Sequence, residues 1–172
     1  MDGSSALVYA VQHIVVSEPD SMNILIALHV LAALIWVGGM FFLLLMVRPA
    51  AGALPVGDRL PLFSKILGRF FLWVWLSVIV LVISGYAMIA MLGGMAAVPV
   101  YVDIMQGLGW IMMLMFGHIF FSPWRRMRTA LNAGALADAG RALNQIRMLA
   151  SVALVLGLIV VALAAGGRYG WF

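Results

Sequence analysis

Four long stretches of the chain carry no formal charge. No Asp, Glu, Lys or Arg occurs between Asp20 and Arg48, Arg69 and Asp103, Asp103 and Arg125, or Arg147 and Arg168. Within each stretch the apolar residues run all the way round a helix instead of along one stripe, which is the pattern of a helix with no aqueous side. A helix needs about 20 such residues to cross a hydrocarbon core about 30 Å thick. The pattern predicts four membrane-crossing helices, at about 22–47, 68–93, 104–123 and 148–167. Short connections between them predict an all-α, up-down-up-down bundle in one domain, 22–172, preceded by an outer segment, 1–21.

The connections have their own signals. "RPAAGALPVGDRLPLF" ends the first helix with three prolines and two glycines and reads as an exposed loop; "MLGGMAAVP" ends the second in the same way. "WRRMRTALNAGALADAGRALNQIRM" is polar and alanine-rich, and it predicts that helices three and four extend beyond the bilayer around "NAGALADAG". Residues 6–16, "ALVYAVQHIVV", are too few to span and suit an outer-surface helix or strand.

Composition and charge sharpen this picture. Apolar residues make up 66% of the chain and charged ones 9%, outside the range of a soluble domain. The basic excess sits in two places: Arg48, Arg59, Lys65 and Arg69 between helices one and two, and Arg125, Arg126, Arg128, Arg141 and Arg147 between helices three and four. By the positive-inside rule both basic connections are cytoplasmic and both termini face outward, which in a bacterium is the periplasm. Topogenesis and anionic lipid account for the basic charge, so no nucleic-acid partner is expected. Cysteine is absent, which excludes disulfides, thiolate metal sites and CxxCH haem attachment. The start, with Asp2, Glu18 and Asp20 and no basic n-region, does not read as a signal peptide.

Against this apolar background the histidines are conspicuous. In helix one, Met22, His29, Ala33, Trp36 and Met40 share a stripe, with Ala32 beside the imidazole. In helix three the stripe through His118 holds Gly107, Ile111 and Leu114, with Met115 alongside. Ionisable groups in membrane helices are costly and mark functional positions, although a histidine also bonds neighbouring helices or snorkels to the interface. His13 lies outside the bundle. Helices one and three run in the same direction, and their histidines sit at different expected depths, with an offset of roughly 10 Å.

Methionines supply a second kind of ligand. Met88, Met91 and Met95 share a face near the outer end of helix two, and Met22 and Met105 open helices one and three at that level. Thioether sulfur selects Cu(I) over harder cations, while methionine is also ordinary filler of apolar cores. Gly38, Gly39, Ser84 and Gly85 suit close helix contacts. Trp73, Trp75, Trp110, Trp124, Trp171 and Tyr169 fall mostly near the predicted membrane edges, where aromatic belts form. Arg48, Arg125 and Arg126 suit phospholipid headgroups or the propionates of a haem. No nucleophile triad, phosphate loop or carboxylate pair is present, so no catalytic residue is assigned and an enzyme is not the leading expectation.

Three segments carry a family resemblance: "LHVLAALIWVGGMFFLLLMVRPA", "GRFFLWVWLSVIVLVISGYAMI" and "MLMFGHIFFSPWRRMRTAL" continued by "AGRALNQIRML". Together they resemble the membrane domain of the copper-resistance protein D family, in its short stand-alone form, over about residues 23–166. The H-x6-W-x-G-G element, His29 to Gly39, with Arg48-Pro49 at the helix end, is its most specific part. The resemblance implies a bacterial inner-membrane protein of copper resistance or uptake, and on that reading the soft donors found above, His29, Met22, Met88, Met91, Met95 and Met105, are the metal-binding candidates. A more distant likeness is to the four-helix protoporphyrinogen oxidase family, through His29, Trp36, Gly39 and His118. That family's lysine within helix three has no counterpart here, so the likeness implies tetrapyrrole binding without the activity. The alternative expectation is thus a haem b protein using His29 and His118, with Trp36, Arg48, Arg125 and Arg126 around the porphyrin. A third expectation is an assembly subunit without chemistry. The partners these readings admit are the lipid bilayer, a periplasmic copper-binding protein or redox partner, and a second copy of the chain.

Overall fold

The computed structural model describes residues 20–168. His13, most of the expected outer segment, Tyr169 and Trp171 lie outside the described residues. Four helices are long and apolar enough to cross a membrane. In chain order, α1 is Asp20–Ala53, α2 is Val56–Met91, α3 is Val100–Phe121, α4 is Pro123–Asn132 and α5 is Leu136–Arg168. Helix α4 continues the third crossing after a kink at Ser122, so the architecture is the expected up-down-up-down bundle.

Helices three and four extend around "NAGALADAG" as expected, with α4 ending at Asn132 and α5 starting at Leu136, whereas α1 and α2 exceed their predicted lengths. At 1.5 Å per residue the 36 residues of α2 reach about 54 Å, well beyond the hydrocarbon core. The excess lies at the basic end, where residues 48–63 were expected to form a loop. Only Leu54 and Pro55 stand between α1 and α2. The three prolines fall where helices tolerate them. Pro49 lies within α1's last turns, Pro55 caps α2 with an extended backbone (ψ 149°), and Pro61 sits in α2's second turn. Burial of Leu60, Phe63 and Leu67 against the bundle outweighs the one backbone hydrogen bond that Pro61 removes. At the opposite end the glycine signal holds: Gly93 and Gly94 adopt φ of 96° and 93°, which ends α2 sharply.

Helix α1 contains two π-helical segments, Leu34–Gly38 and Leu43–Val47. Each widens the turn and shifts the phase of the face that follows. The interior of α1 presents Ala32, Trp36, Val37 and Met40, while Ala33 is only half-buried. Close approach relies on glycine. A Cβ on Gly39 would lie 2.4 Å from Phe70 Cε2, and one on Gly157 would lie 2.8 Å from Val37 Cγ2.

The core combines Trp36, Val37 and Met40 with Phe71 and Val74 of α2, Met112, Phe116 and Ile119 of α3, and Ile146, Ala153 and Leu154 of α5. An edge-on aromatic cluster ties α1, α2 and α3 together. Phe116 receives Trp36 at 6.1 Å, Phe71 at 5.6 Å and Trp75 at 5.1 Å between ring centroids. Phe71 also meets Trp124 at 5.3 Å. Such pairs each contribute about 0.5–1.5 kcal/mol beyond area burial. Trp75 and Trp124 thus belong to the bundle interior, whereas Trp73 and Trp110 are exposed. The outer faces are apolar, with Leu72 and Leu114 each more than 70% exposed, a surface that only lipid covers at low cost.

Candidate functional site

His29 projects from α1 towards α2. Its Nδ1 lies 2.8 Å from Ser84 Oγ, a hydroxyl that is itself 2% exposed. Ser84 Oγ also lies 2.6 Å from the Val80 carbonyl one turn earlier in α2, and that carbonyl can only accept. The hydroxyl's single hydrogen goes to Val80, so Oγ must accept from the imidazole. Counting donors in this way puts a ring hydrogen on Nδ1, directed at Ser84, and the Leu81 backbone carbonyl is a further acceptor beside the ring. Ser84 thereby holds the ring as an outer-shell partner holds a metal-ligating histidine.

The ring fits because its neighbours are small. A Cβ on Gly85 would meet His29 Cε1 at 3.3 Å, and Ala32 is buried just beyond the histidine on α1. Ser84 and Gly85 were expected only to let helices approach; their specific use is to seat this imidazole. The signal in the sequence was a polar hydroxyl beside glycine in an apolar helix, but pairing it with His29 requires the α1–α2 register across 55 residues.

The same hydrogen bond sets the register of the methionines. Met22 precedes His29 by seven residues, and Met91 follows Ser84 by seven on the antiparallel helix. Both therefore sit about 10 Å farther towards the α2–α3 connection. Met88 is one turn beyond Ser84. Gln106 Nε2 donates to Tyr86 Oη at 2.7 Å, which brings the neighbouring Met105 to a similar level. Met22, Met88 and Met105 are half-buried, whereas Met91 and Met95 are more than 40% exposed, the latter in the short turn Met95–Ala97. The same end of the bundle thus carries these soft donors, about one to two turns or more beyond His29 along the axis. Among the described residues no three His, Cys, Asp or Glu side chains come together, so the end offers little to a hard cation.

His118 is elsewhere. It is exposed, as are Gly107, Ile111 and Leu114 of its stripe, and α3 turns Met112, Phe116 and Ile119 inward instead. Phe116 and Trp36 are level with each other, so His29 and His118 lie about 13 Å apart along the bundle axis, nine residues at 1.5 Å each. The structure does not bring the two imidazoles to one site, and a single porphyrin clamped by both does not fit this spacing. Trp36 instead lines an interior cavity of about 50 Å³ between Met40, Phe71 and Phe116. Pockets for organic ligands run to about 300–1,000 Å³. Arg48 lies at that cavity's rim, while Arg125 and Arg126 are exposed on α4 beside a separate surface groove, where Arg126 donates to Gln145 at 2.6 Å.

A family model described as copper resistance protein D matches residues 64–166, more than half of the chain. The match runs from α2 into α5 and includes Ser84; His29 and the rest of α1 lie outside it. No curated protein and no solved structure matches the chain. Four helices able to cross a bilayer and the match across three of those four helices agree on one assignment: the chain belongs to the copper resistance protein D family and is a multi-pass membrane protein.

Proposed function

We propose that the protein handles copper by receiving Cu(I) on Nε2 of His29, assisted by thioethers among Met22, Met88, Met91, Met95 and Met105. The observation that supports this reading is the Ser84 hydrogen bond, which engages Nδ1, fixes the orientation of the ring and so leaves Nε2 as the nitrogen offered to a metal. A neutral imidazole and neutral sulfurs suit a soft monovalent ion and are poor ligands for Mg(II) or Ca(II). Partial exposure of the outer methionines lets the ion exchange with a donor before reaching His29. A periplasmic copper-binding protein or redox partner is the matching source or acceptor.

Removing the outer-shell bond tests the reading. Ser84→Ala keeps the helix hydrogen bond at Val80 but leaves the His29 ring free to change tautomer. Its Cu(I) affinity, measured by competition with a bicinchoninate chelator under reducing conditions, is expected to fall about 10–100-fold. An affinity equal to that of the parent protein would remove the support.

The proposed orientation has the basic connections in the cytoplasm and the His29 end outward, in a bacterial inner membrane. A chain without cysteine allows a clean test. Ala97→Cys, between α2 and α3, is expected to react with a membrane-impermeant maleimide in intact spheroplasts. Ala133→Cys, between α4 and α5, is expected to react only after permeabilisation; the reverse pattern inverts the topology.

A further inference from the structure

The interior cavity ends in arginine. Arg48 of α1 and Arg147 of α5 both line it, and every other wall residue is apolar, from Trp36 and Met40 to Phe63 and Ile146. Arg147 Nε is buried and has no hydrogen-bond partner. Arg48 and Arg59 both lie close enough to Arg147 to act on it electrostatically, and the charges are alike. Among the described residues the one ion pair is Arg141 with Asp138, so none of these three guanidiniums is neutralised by a carboxylate. The second π-helical segment of α1, Leu43–Val47, contributes Leu43 and Leu44 to the cavity wall directly before Arg48. Such wide turns in membrane helices recur at functional positions.

Two unneutralised cations, one of them with a buried and unpartnered N–H donor, are costly as they stand and become favourable when an anion sits between them. The guanidinium fork matches the oxygens of a phosphate group. We propose that Arg48 and Arg147 form a phosphate-binding site at the basic end of the bundle. A cavity of about 50 Å³ has room for one or two water-sized groups and not for an acyl chain, so the phosphate is held at the rim with the rest of its carrier outside. The phosphate is carried either by an anionic phospholipid of the adjacent leaflet or by a free anion in the cytoplasm.

The test titrates the full chain, purified in neutral detergent, with phosphatidylglycerol, with phosphatidylcholine and with inorganic phosphate, reading bound ligand by native mass spectrometry. Phosphatidylglycerol binding that phosphatidylcholine does not reproduce identifies a lipid carrier. Binding of inorganic phosphate alone identifies the free anion. In either case Arg147→Gln and Arg48→Gln are each expected to weaken binding at least tenfold, and Arg147→Lys to restore part of it. Arg141→Gln, outside the cluster, is expected to leave it unchanged. Because Arg147 is partly buried, the exposed Arg48 serves as the variant whose folding is least at risk. No binding of any of the three ligands, or binding that survives both glutamine variants, overturns the proposal. Cu(I) affinity at the opposite end is expected to be the same in these variants, which separates this site from the one at His29.

Discussion

His29→Ala is expected to abolish specific Cu(I) binding. The loss should exceed the ~10–100-fold that removal of an outer-shell partner causes, since the ligating nitrogen itself disappears. The bundle is expected to survive the change. Ser84 keeps its donor bond to the Val80 carbonyl at 2.6 Å, so no buried hydrogen is left without an acceptor. Gly85 faces added space rather than a clash. Size-exclusion behaviour in detergent close to that of the parent, together with lost chelator competition, is the expected pair of results. His118→Ala should leave the affinity unaltered, because that side chain is exposed on the other side of the Trp36–Phe116 level. Equal affinity in His29→Ala would assign the histidine to helix bonding alone.

The largest effect on stability is expected at Gly157, which is remote from His29. Its α-hydrogen faces Val37 and Met112, and an added Cβ would lie 2.8 and 3.2 Å from the two methyls of Val37 and 3.1 Å from Met112 Cε. Met112 can yield, because an unbranched thioether has several rotamers. Val37 cannot, since a β-branched side chain on a helix is held near one rotamer, and its backbone belongs to the first π-helical segment. Gly157→Leu therefore forces α5 away from α1 and α3. Overpacking of this kind costs about 1–3 kcal/mol. For a chain of this size each kcal/mol corresponds to roughly 2–4 °C, so the thermal midpoint in detergent should fall by about 2–12 °C. A midpoint within a degree of the parent would mean that the α1–α5 contact is looser than the structure places it.

The elements were legible where composition alone decides. Four charge-free stretches had to become helices, because lipid leaves backbone groups no other partners. Which face points inward was much less legible. Lipid is as apolar as the bundle interior, so a stripe through His118 looked as inward as one through Phe116, and only the packing distinguishes them. In α1 the first wide turn, Leu34–Gly38, also breaks the 3.6-residue count, and Val37 is buried beside Trp36 and Met40. The basic connection was misread for a local reason. Its prolines resemble loop punctuation, yet each stands at a helix end or early turn, and the burial of Leu60 and Phe63 depends on partners far away in sequence.

The site divides along the same line. His29 stood out because an imidazole in an apolar helix is costly, and that signal is local. Its use of Ser84 is not local, since it depends on how α1 and α2 align. For the same reason Arg147 is not distinguished: within "ALNQIRM" it reads as one more arginine of the basic connection, and only the fold puts it with Arg48 on one apolar-walled cavity.

Histidine-selective ¹⁵N NMR of the purified protein, recorded before and after one equivalent of Cu(I), reads both halves of the proposed chemistry at once. His118→Gln and His13→Gln assign the His29 signals. A neutral ring carrying its hydrogen on Nδ1, with an Nε2 resonance that moves on Cu(I) addition, is the result expected from the Ser84 bond. A ring protonated on Nε2 instead, or resonances that ignore Cu(I), would contradict it.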